Sequence, residues 1–353
     1  MMSLDDAQEN LRLIRHSASA VVPRDKGPQR ARSLRMRQPG FDRGLWKEMC
    51  RLGWAGLRVP EDSEGSGLDV AALCAVAQQL GASLSPEPFI AVAGTATLLS
   101  GARLQAVIRG DCVVVPAWME QPHDLNPAGQ ARFVSGRVSG TKLLVASAMA
   151  ADAFVVATLD GLALVDRDAP GVTITSVSLH DGSFAGDVVF ADAPGEMLPG
   201  TLERVFEESA LASAAYLLGA MEVAFDMTLS YLSLRQQFGK PIGSFQALQH
   251  RAVDLKIQIE LTRAVINDAA CALDRDTCDL AARHALVSRA KVRAGDAAML
   301  VARESVQFHG AMGMTDDCDI GLYARKILTV HNDWGSVVAH RQRFAAIEQS
   351  REG

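Results

Sequence analysis

Arg235-Gln236-Gln237-Phe238-Gly239-Lys240-Pro241-Ile242-Gly243-Ser244-Phe245-Gln246 is a glycine-punctuated turn between two long apolar-periodic segments, and its reading decides the fold. Upstream, Leu202 to Leu234 reads as one helix that Gly239, Pro241 and Gly243 stop. Ser244 is placed to cap the next helix, since its hydroxyl can satisfy an orphan N–H. After it, Leu248, Ala252, Leu255, Ile259, Thr262 and Ile266 recur at helical spacing and predict one face of a second long helix. An Arg and a Phe in an exposed turn can clamp an anion and cover an aromatic ring, because a guanidinium fork matches phosphate and a ring stacks on a ring. Arg-x-x-Phe alone also suits an ordinary interhelical loop.

The whole string resembles the helix-turn-helix signature of the acyl-CoA dehydrogenase family, R-x-x-F-G-x-x-I-x-x-x-Q, at every fixed position. A second stretch points the same way. Leu52-Gly53-Trp54-Ala55-Gly56-Leu57-Arg58-Val59-Pro60-Glu61, followed by Gly65 and Gly67, resembles the family's L-G-W-x-G-L-x-x-P-E and glycine pair. As a bare sequence it is a Pro/Gly loop between two helices.

The 353-residue chain is 48% hydrophobic with a mean hydropathy of +0.09, enough for large cores in two or three domains. No run of eighteen consecutive apolar residues occurs, so no membrane span is expected. The net charge of −6 gives no footprint for nucleic acid. The Arg-rich stretch from Arg24 to Arg43 follows Asp5, Asp6 and Glu9 and precedes no apolar run, which resembles neither a secretory signal nor a transit peptide. Cys50, Cys74, Cys112, Cys271, Cys278 and Cys318 form no C-x-x-C pair and no zinc spacing, so no metal is expected. Reduced, mostly buried thiols in a cytoplasmic protein are the expectation.

From Leu11 to Arg109 the segments read as helices, Phe41 to Leu52 and Val70 to Leu80 most plainly. At Cys112 the periodicity changes to short β-rich runs: Val113–Val115, Phe133–Ser135, Leu143–Val145, Phe154–Ala157, Leu162–Val165, Val172–Ile174 and Asp187–Phe190. Their near-regular spacing predicts an antiparallel sandwich or barrel, with Ala193-Pro194-Gly195 as its end. Four or five helices then follow to Glu348 and predict an antiparallel bundle. The expected fold is therefore mainly α with a middle β domain: residues 1–112 helical, 113–198 a β sandwich or barrel, 199–353 a helical bundle. The resemblance implies the same order, an N-terminal α domain, a β domain and a C-terminal four-helix bundle.

The resemblance also implies the chemistry. The family oxidises an acyl-CoA thioester with FAD: a carboxylate takes the α proton while the flavin takes the β hydride. FAD lies across a subunit interface, so each flavin is touched by two chains. Arg235 and Phe238 fill the motif that serves the neighbour's FAD. Gln307-Phe308-His309-Gly310-Ala311-Met312-Gly313 resembles the second such motif, Q-x-x-G-G-x-G, with Ala311 in place of the middle glycine. Small residues at 310, 311 and 313 would admit a dinucleotide and Gln307 could bond to its ADP part, whereas a plain helix end closed by Gly310 is the alternative. His309 has no clustered carboxylate or second histidine in the sequence and reads as a satisfied loop or partner-contact residue.

The motifs for the chain's own flavin are eroded. After Gly140-Thr141-Lys142 the aromatic and hydroxyl positions of the family fall on Leu144 and Ala146. In Trp118-Met119-Glu120-Gln121-Pro122 the glutamate matches, Met119 replaces a hydroxyl residue, and His123-Asp124-Leu125-Asn126-Pro127 replaces a glycine-rich turn. The carboxylate of the family's Y-E-G-T falls on Trp334 within Asp333-Trp334-Gly335-Ser336, and the alternative base position falls on Ser209, beside Glu207 and Glu208. Those two acids also suit a helix start, and Asp333, one place along a helix, would point a quarter-turn away. With the short chain and the Gly335…His340-Arg341 stretch, these features resemble the heteromeric, short-subunit branch that bacteria use on bulky thioesters, including steroid side chains. The expectation is a subunit that pairs with a homologous chain and supports FAD without supplying the base. The alternatives are an autonomous homo-oligomer using Asp333 or Glu208, and a flavin-free scaffold.

Overall fold

A computed structural model describes residues 4–122, 125–127, 129–275 and 279–352. Cys278, and His123 and Asp124 of the replaced glycine turn, lie outside these residues. Six helices come first: α1 Leu4–Val21, α2 Gly27–Leu34, α3 Arg43–Arg51, α4 Val70–Ala82, α5 Phe89–Ala96 and α6 Gly101–Ile108. Eight strands follow: β1 Val114–Ala117, β2 Arg132–Val134, β3 Arg137–Ala146, β4 Ala153–Thr158, β5 Gly161–Asp166, β6 Val172–Ser178, β7 Phe184–Pro194 and β8 Glu196–Leu198. Then come α7 Glu203–Leu234, a two-stranded hairpin of β9 Gln236–Gln237 and β10 Lys240–Pro241, α8 Gln246–Asp274, α9 Leu280–His309, α10 Ile320–Val330 and α11 Val337–Glu352. The chain is thus mainly α with a middle β region. It divides into two compact units, one of Met1–Arg32, Cys74–Ser85 and Leu211–Gly353, the other of Ser33–Leu73 and Pro86–Ala210.

The second of these units holds the sheets. Asp42 starts α3 by accepting from the N–H groups of Gly44 and Leu45, and Trp46, Met49 and Cys50 form the buried face of that helix. The strands form two open four-stranded sheets, β1-β4-β5-β8 and β2-β3-β7-β6, rather than a closed barrel. One pairing departs from the antiparallel expectation: β1 runs parallel to β4, Val114 opposite Ala153. A parallel neighbour needs a long connection, here β2 and β3, and no local turn signal announces it. Nor does the sheet region stop at Ala193-Pro194-Gly195, since β8 follows and pairs with β5. Gly195 serves close packing there, because a Cβ would lie 3.1 Å from Val165 Cγ2 and 3.2 Å from the Leu164 carbonyl oxygen.

In the other unit α9 is central and packs against α8, α10 and α11. The predicted α8 face is real: Ala252, Leu255, Ile259, Thr262 and Ile266 are buried, with Leu248 half-buried at the start. The Ser244 cap is not. Ser244 sits in a short 3-10 turn with its hydroxyl donating to the Pro241 carbonyl at 2.7 Å, so it is already committed when α8 begins without a side-chain cap. Helix α7 is long and apolar enough to cross a membrane by length and composition, but 83% of its most apolar window is buried inside the protein, as befits a core helix. Its contact with α4 is backbone to backbone. A Cβ on Gly81 would fall 1.9 Å from the Tyr216 carbonyl oxygen, and one on Gly219 1.8 Å from that of Gln78. Tyr216 and Tyr323 then donate to the Ser85 and Ala82 carbonyls at 3.0 and 2.9 Å, closing the C-terminal end of α4. Of the described cysteines, Cys50, Cys74 and Cys112 are buried, Cys318 is partly so and Cys271 is exposed.

Candidate functional site

The Arg235 turn is a tight hairpin. Phe238 at φ 54° and Gly239 at φ 77° make a two-residue loop of the primed kind, and the Ile242 N–H donates to the Arg235 carbonyl at 2.8 Å. A phenylalanine is an unusual choice for the left-handed position, and this one is 90% exposed, with Leu234 80% exposed beside it. Its only described ring contact is edge-on to Phe245 at 6.1 Å, a ring that Lys240 Nζ covers at 4.3 Å. The exposed Arg235 guanidinium takes no hydrogen bond or ion pair among the described residues.

The Gln307 motif lies at the same end of the bundle. Gln307, Gly310 and Ala311 are exposed where α9 ends, and the Tyr231 ring of α7 stacks on the His309 ring of α9 at 4.3 Å. Gly310, at φ 61°, does close the helix, its N–H donating to the Gln307 carbonyl, yet a Cβ there would meet nothing within 4 Å. Gly313 by contrast is buried, with 2.8 Å between a Cβ and the Val306 carbonyl oxygen. His309 is a packing residue, buried, stacked, and 2.8 Å through Nδ1 from the Ser305 carbonyl oxygen. The five residues singled out by the sequence thus form an exposed rim with an aromatic tip, a cation, an amide and two small residues.

The stretches expected near the chain's own flavin are spent on the fold. Glu120 accepts from the N–H groups of Gln130 and Ala131 at 2.5 and 2.8 Å and from fully buried Lys142 at 2.5 Å. Burial works against the Glu120 charge, but Lys142 and the Ala131 N–H outweigh it and hold the carboxyl below its ordinary range. Leu144 stands at a bulge of β3 with φ 48°, its N–H donating to Asp187 at 2.8 Å, and it faces solvent with Ala146. Neither side chain can stack on or hydrogen-bond to a flavin as an aromatic and a hydroxyl would.

The candidate base positions sit in different surroundings from those their sequence suggests. Glu208 is no surface charge at a helix start: it is buried, and Arg58 donates to both its oxygens at 2.8 Å through Nε and Nη2. Burial alone would raise its pKa, but Arg58 and then Arg204 pull it below the usual value. Ser209 is buried and carries no acid. Asp333 lies in a turn, not on a helix as expected, because α10 stops at Val330 and Trp334 and Gly335 take left-handed φ of 57° and 99°. Its Coulombic neighbour is Lys291, a fully buried lysine that sequence inspection passes over. The signal was there, since Lys291 shares the helical face of Val287 and Ala294.

Beside it, buried His340 is pushed down to about 3, first by burial and then by the Arg343 and Lys291 charges. The unfolded chain therefore takes up this proton before the folded one does. The histidine's contribution to stability is intact above pH 6.5 and drains away as pH falls from there toward 3. His340→Gln is expected to flatten that part of the stability curve, as urea titrations at stepped pH would record.

Comparison with known proteins follows the same lines. The profile of the acyl-CoA dehydrogenase N-terminal domain matches residues 8–102 and that of the acyl-CoA dehydrogenase C-terminal domain residues 200–332. The chain belongs to the acyl-CoA dehydrogenase family. Members are FAD-dependent oxidoreductases of acyl-CoA thioesters, and the chain resembles the steroid type. It is 29% identical over 319 residues to acyl-CoA dehydrogenase IpdE2 of Mycobacterium tuberculosis, covering 90% of this chain and 91% of that one. A solved Tcur3481–Tcur3483 steroid acyl-CoA dehydrogenase variant superposes with a TM-score of 0.89 at 28% identity, over 98% of this chain and 99% of that one. The ChsE4–ChsE5 complex from Mycobacterium tuberculosis does so with 0.85 at 25% identity, over 99% and 98%. Among the described residues no group of three or more His, Cys, Asp or Glu side chains could hold a metal ion.

Proposed function

We propose that this acyl-CoA dehydrogenase chain is one subunit of a two-subunit enzyme that α,β-dehydrogenates a bulky, steroid-type acyl-CoA in the cytoplasm. Its share is to hold the FAD of a homologous partner, which supplies the general base. The observation that carries this reading is the contrast between the two halves of the chain's flavin equipment. The outward rim of Arg235, Phe238, Gln307, Gly310 and Ala311 is exposed and departs from the family motif only at Ala311, whereas Leu144 and Ala146 offer nothing to a flavin and Trp334 falls at the family's base position in sequence register. Both steroid-type neighbours, Tcur3481–Tcur3483 and the ChsE4–ChsE5 complex, pair two differently named chains, which supports this reading.

The rim fits a dinucleotide. Arg235 would meet the pyrophosphate, Phe238 would cover an aromatic ring, Gln307 would bond to the ADP part, and the open backbone at Gly310 would allow close approach. FAD, where bound, supplies the hydride acceptor. A partner is also favoured by an apolar stripe on α8, whose Val253, Ile257 and Leu261 recur every four residues at 57%, 48% and 49% exposure. Such a row is unusual on a helix that faces only water.

Flavin absorbance tests the proposal. The chain purified alone should be colourless and should turn yellow and active with its homologous partner. In that assembly Arg235→Ala should weaken FAD retention by about 1.5 to 3 kcal/mol, the usual contribution of a charged hydrogen bond. A yellow, active lone chain would make it an autonomous dehydrogenase, and flavin retention unchanged by Arg235→Ala after gel filtration would remove the rim from the cofactor.

A further inference from the structure

A cleft of about 530 Å³ opens between α7 and the segment joining α9 to α10, a size that small-molecule sites occupy, and nothing in the proposed function uses it. Sequence spacing builds one wall. Val223, Asp226, Met227 and Ser230 recur at i, i+3, i+4 and i+7, so they share a single face of α7. Met312, Asp317, Cys318 and Asp319 make the other wall. It is pinned in place: Arg32 of α2 donates to the Asp319 carboxylate and, at 2.7 Å, to the Asp316 carbonyl, while Arg325 donates to the Asp316 carboxylate at 3.2 Å. Two of the segment's acids are thereby engaged. Asp317, between them, has no partner among the described residues, and neither does the Asp226 carboxylate on the α7 wall.

The remaining polar groups of the cleft have already committed their hydrogens. Ser230 Oγ donates to the Asp226 carbonyl at 2.9 Å, and the Tyr231 hydroxyl to the His309 carbonyl at 3.5 Å. His309 is 6% exposed and lies 2.8 Å through Nδ1 from the Ser305 carbonyl oxygen, which can only accept. Nδ1 therefore carries a proton, and Nε2 of the neutral ring is an acceptor. That nitrogen has no partner among the described residues, yet it is not sealed from the surface, so the cleft that His309 lines is its outlet. A side chain this buried with an open acceptor points to a donor that arrives from outside.

The lining thus calls for positive charge and hydrogen-bond donors. Two open carboxylates repel a phosphate, which separates this cleft from the neighbouring rim of Arg235 and Gln307. A metal ion does not suit it either, since among the described residues no group of three or more His, Cys, Asp or Glu side chains could hold one. Val223, Met227 and Met312 add apolar, adaptable surface for a hydrocarbon stem. We propose that the cleft is a binding site for an organic cation, a guanidinium or ammonium head drawn by Asp226, Asp317 and His309 and carried on a short apolar stem along Met227 and Met312. Such a site stands whether or not the chain has a partner subunit.

Cys318 lines the cleft and exposed Cys271 does not, so the two thiols report on it within one molecule. The test alkylates the full chain with N-ethylmaleimide and follows each cysteine by mass spectrometry. n-Butylguanidinium should slow alkylation of Cys318 severalfold and leave Cys271 unchanged, whereas n-butylurea, neutral and of nearly the same shape, should protect neither. Asp226→Asn and Asp317→Asn should each raise the butylguanidinium concentration for half-protection by about tenfold, as loss of one charged hydrogen bond does. A blocked tripeptide with arginine between two leucines separates the sources of the head group. Stronger protection by the peptide assigns the site to a side chain presented by another protein, and stronger protection by butylguanidinium assigns it to a free amine or guanidine. Equal protection by butylguanidinium and butylurea overturns the proposal, and that comparison needs only the wild type should a variant fail to fold. Half-protection unmoved in both variants overturns it too, as does displacement of butylguanidinium by ADP, which would return the cleft to the cofactor rim.

Discussion

Asp333→Asn in the assembled enzyme should leave turnover within about threefold of wild type, while removal of the partner subunit's carboxylate should lower it by about 10²–10⁴-fold, the contribution of a positioned general base. The contrast follows from what Asp333 does. Burial, the larger effect, brings the Lys291 ammonium down to about 8, and the Asp333 charge near it works the other way, favouring the protonated lysine. An asparagine of the same shape removes that charge. Burial dominates the Lys291 shift, so the folded lysine sheds its proton before the unfolded one, and stability rises with pH from about 8 to 10.5. Asp333→Asn should widen that rise toward lower pH, as stability measured at stepped pH would record. A hundredfold loss of turnover with flavin content intact would put the active site in this chain and defeat the subunit reading.

Glu208→Ala should cost about 3–5 kcal/mol of stability, because it leaves the Arg58 guanidinium buried without its carboxylate. The pair is closed on both sides, with side-chain exposures of 8% and 11%, and Arg58 also donates to the Leu68 carbonyl. Arg204, at 69% exposure, adds a contact screened by water and contributes far less. Replacing both partners, Arg58→Met with Glu208→Leu, should recover most of the loss, since two apolar groups of similar volume desolvate without penalty. Thermal unfolding of the three proteins checks this. Equal melting temperatures for wild type and Glu208→Ala would reopen Glu208 as a residue kept for chemistry.

Much of this architecture was legible because it is written locally. The long helices announce themselves by apolar periodicity, the Phe238-Gly239 hairpin by its glycines, and most strands by β-branched runs. What escaped is non-local. Arg58 and Glu208 are 150 residues apart in sequence, and neither carries a sign of the other. The parallel β1–β4 pairing depends on a crossover, not a turn. Strand β8, three residues long just after a Pro-Gly stop, has too little pattern to see. The rim residues were legible as a motif, but the near-total exposure of Phe238, which gives the motif its direction, needed coordinates.

The glycine contact of α4 with α7 bears on how such a chain can be inherited. Gly81 and Gly219 each fill the space where the other helix's carbonyl runs, so the bundle carries within it a helix encoded more than a hundred residues upstream. A gene fragment that began at α7 would lack that helix and leave a glycine-floored trench along its longest element. Recombination between related genes at the end of the sheets would keep both glycines, yet would ask two separately drifting backbones to meet within an atom's width. Divergence is thus steered toward the rims and turns, where side chains can change while the helices stay in step.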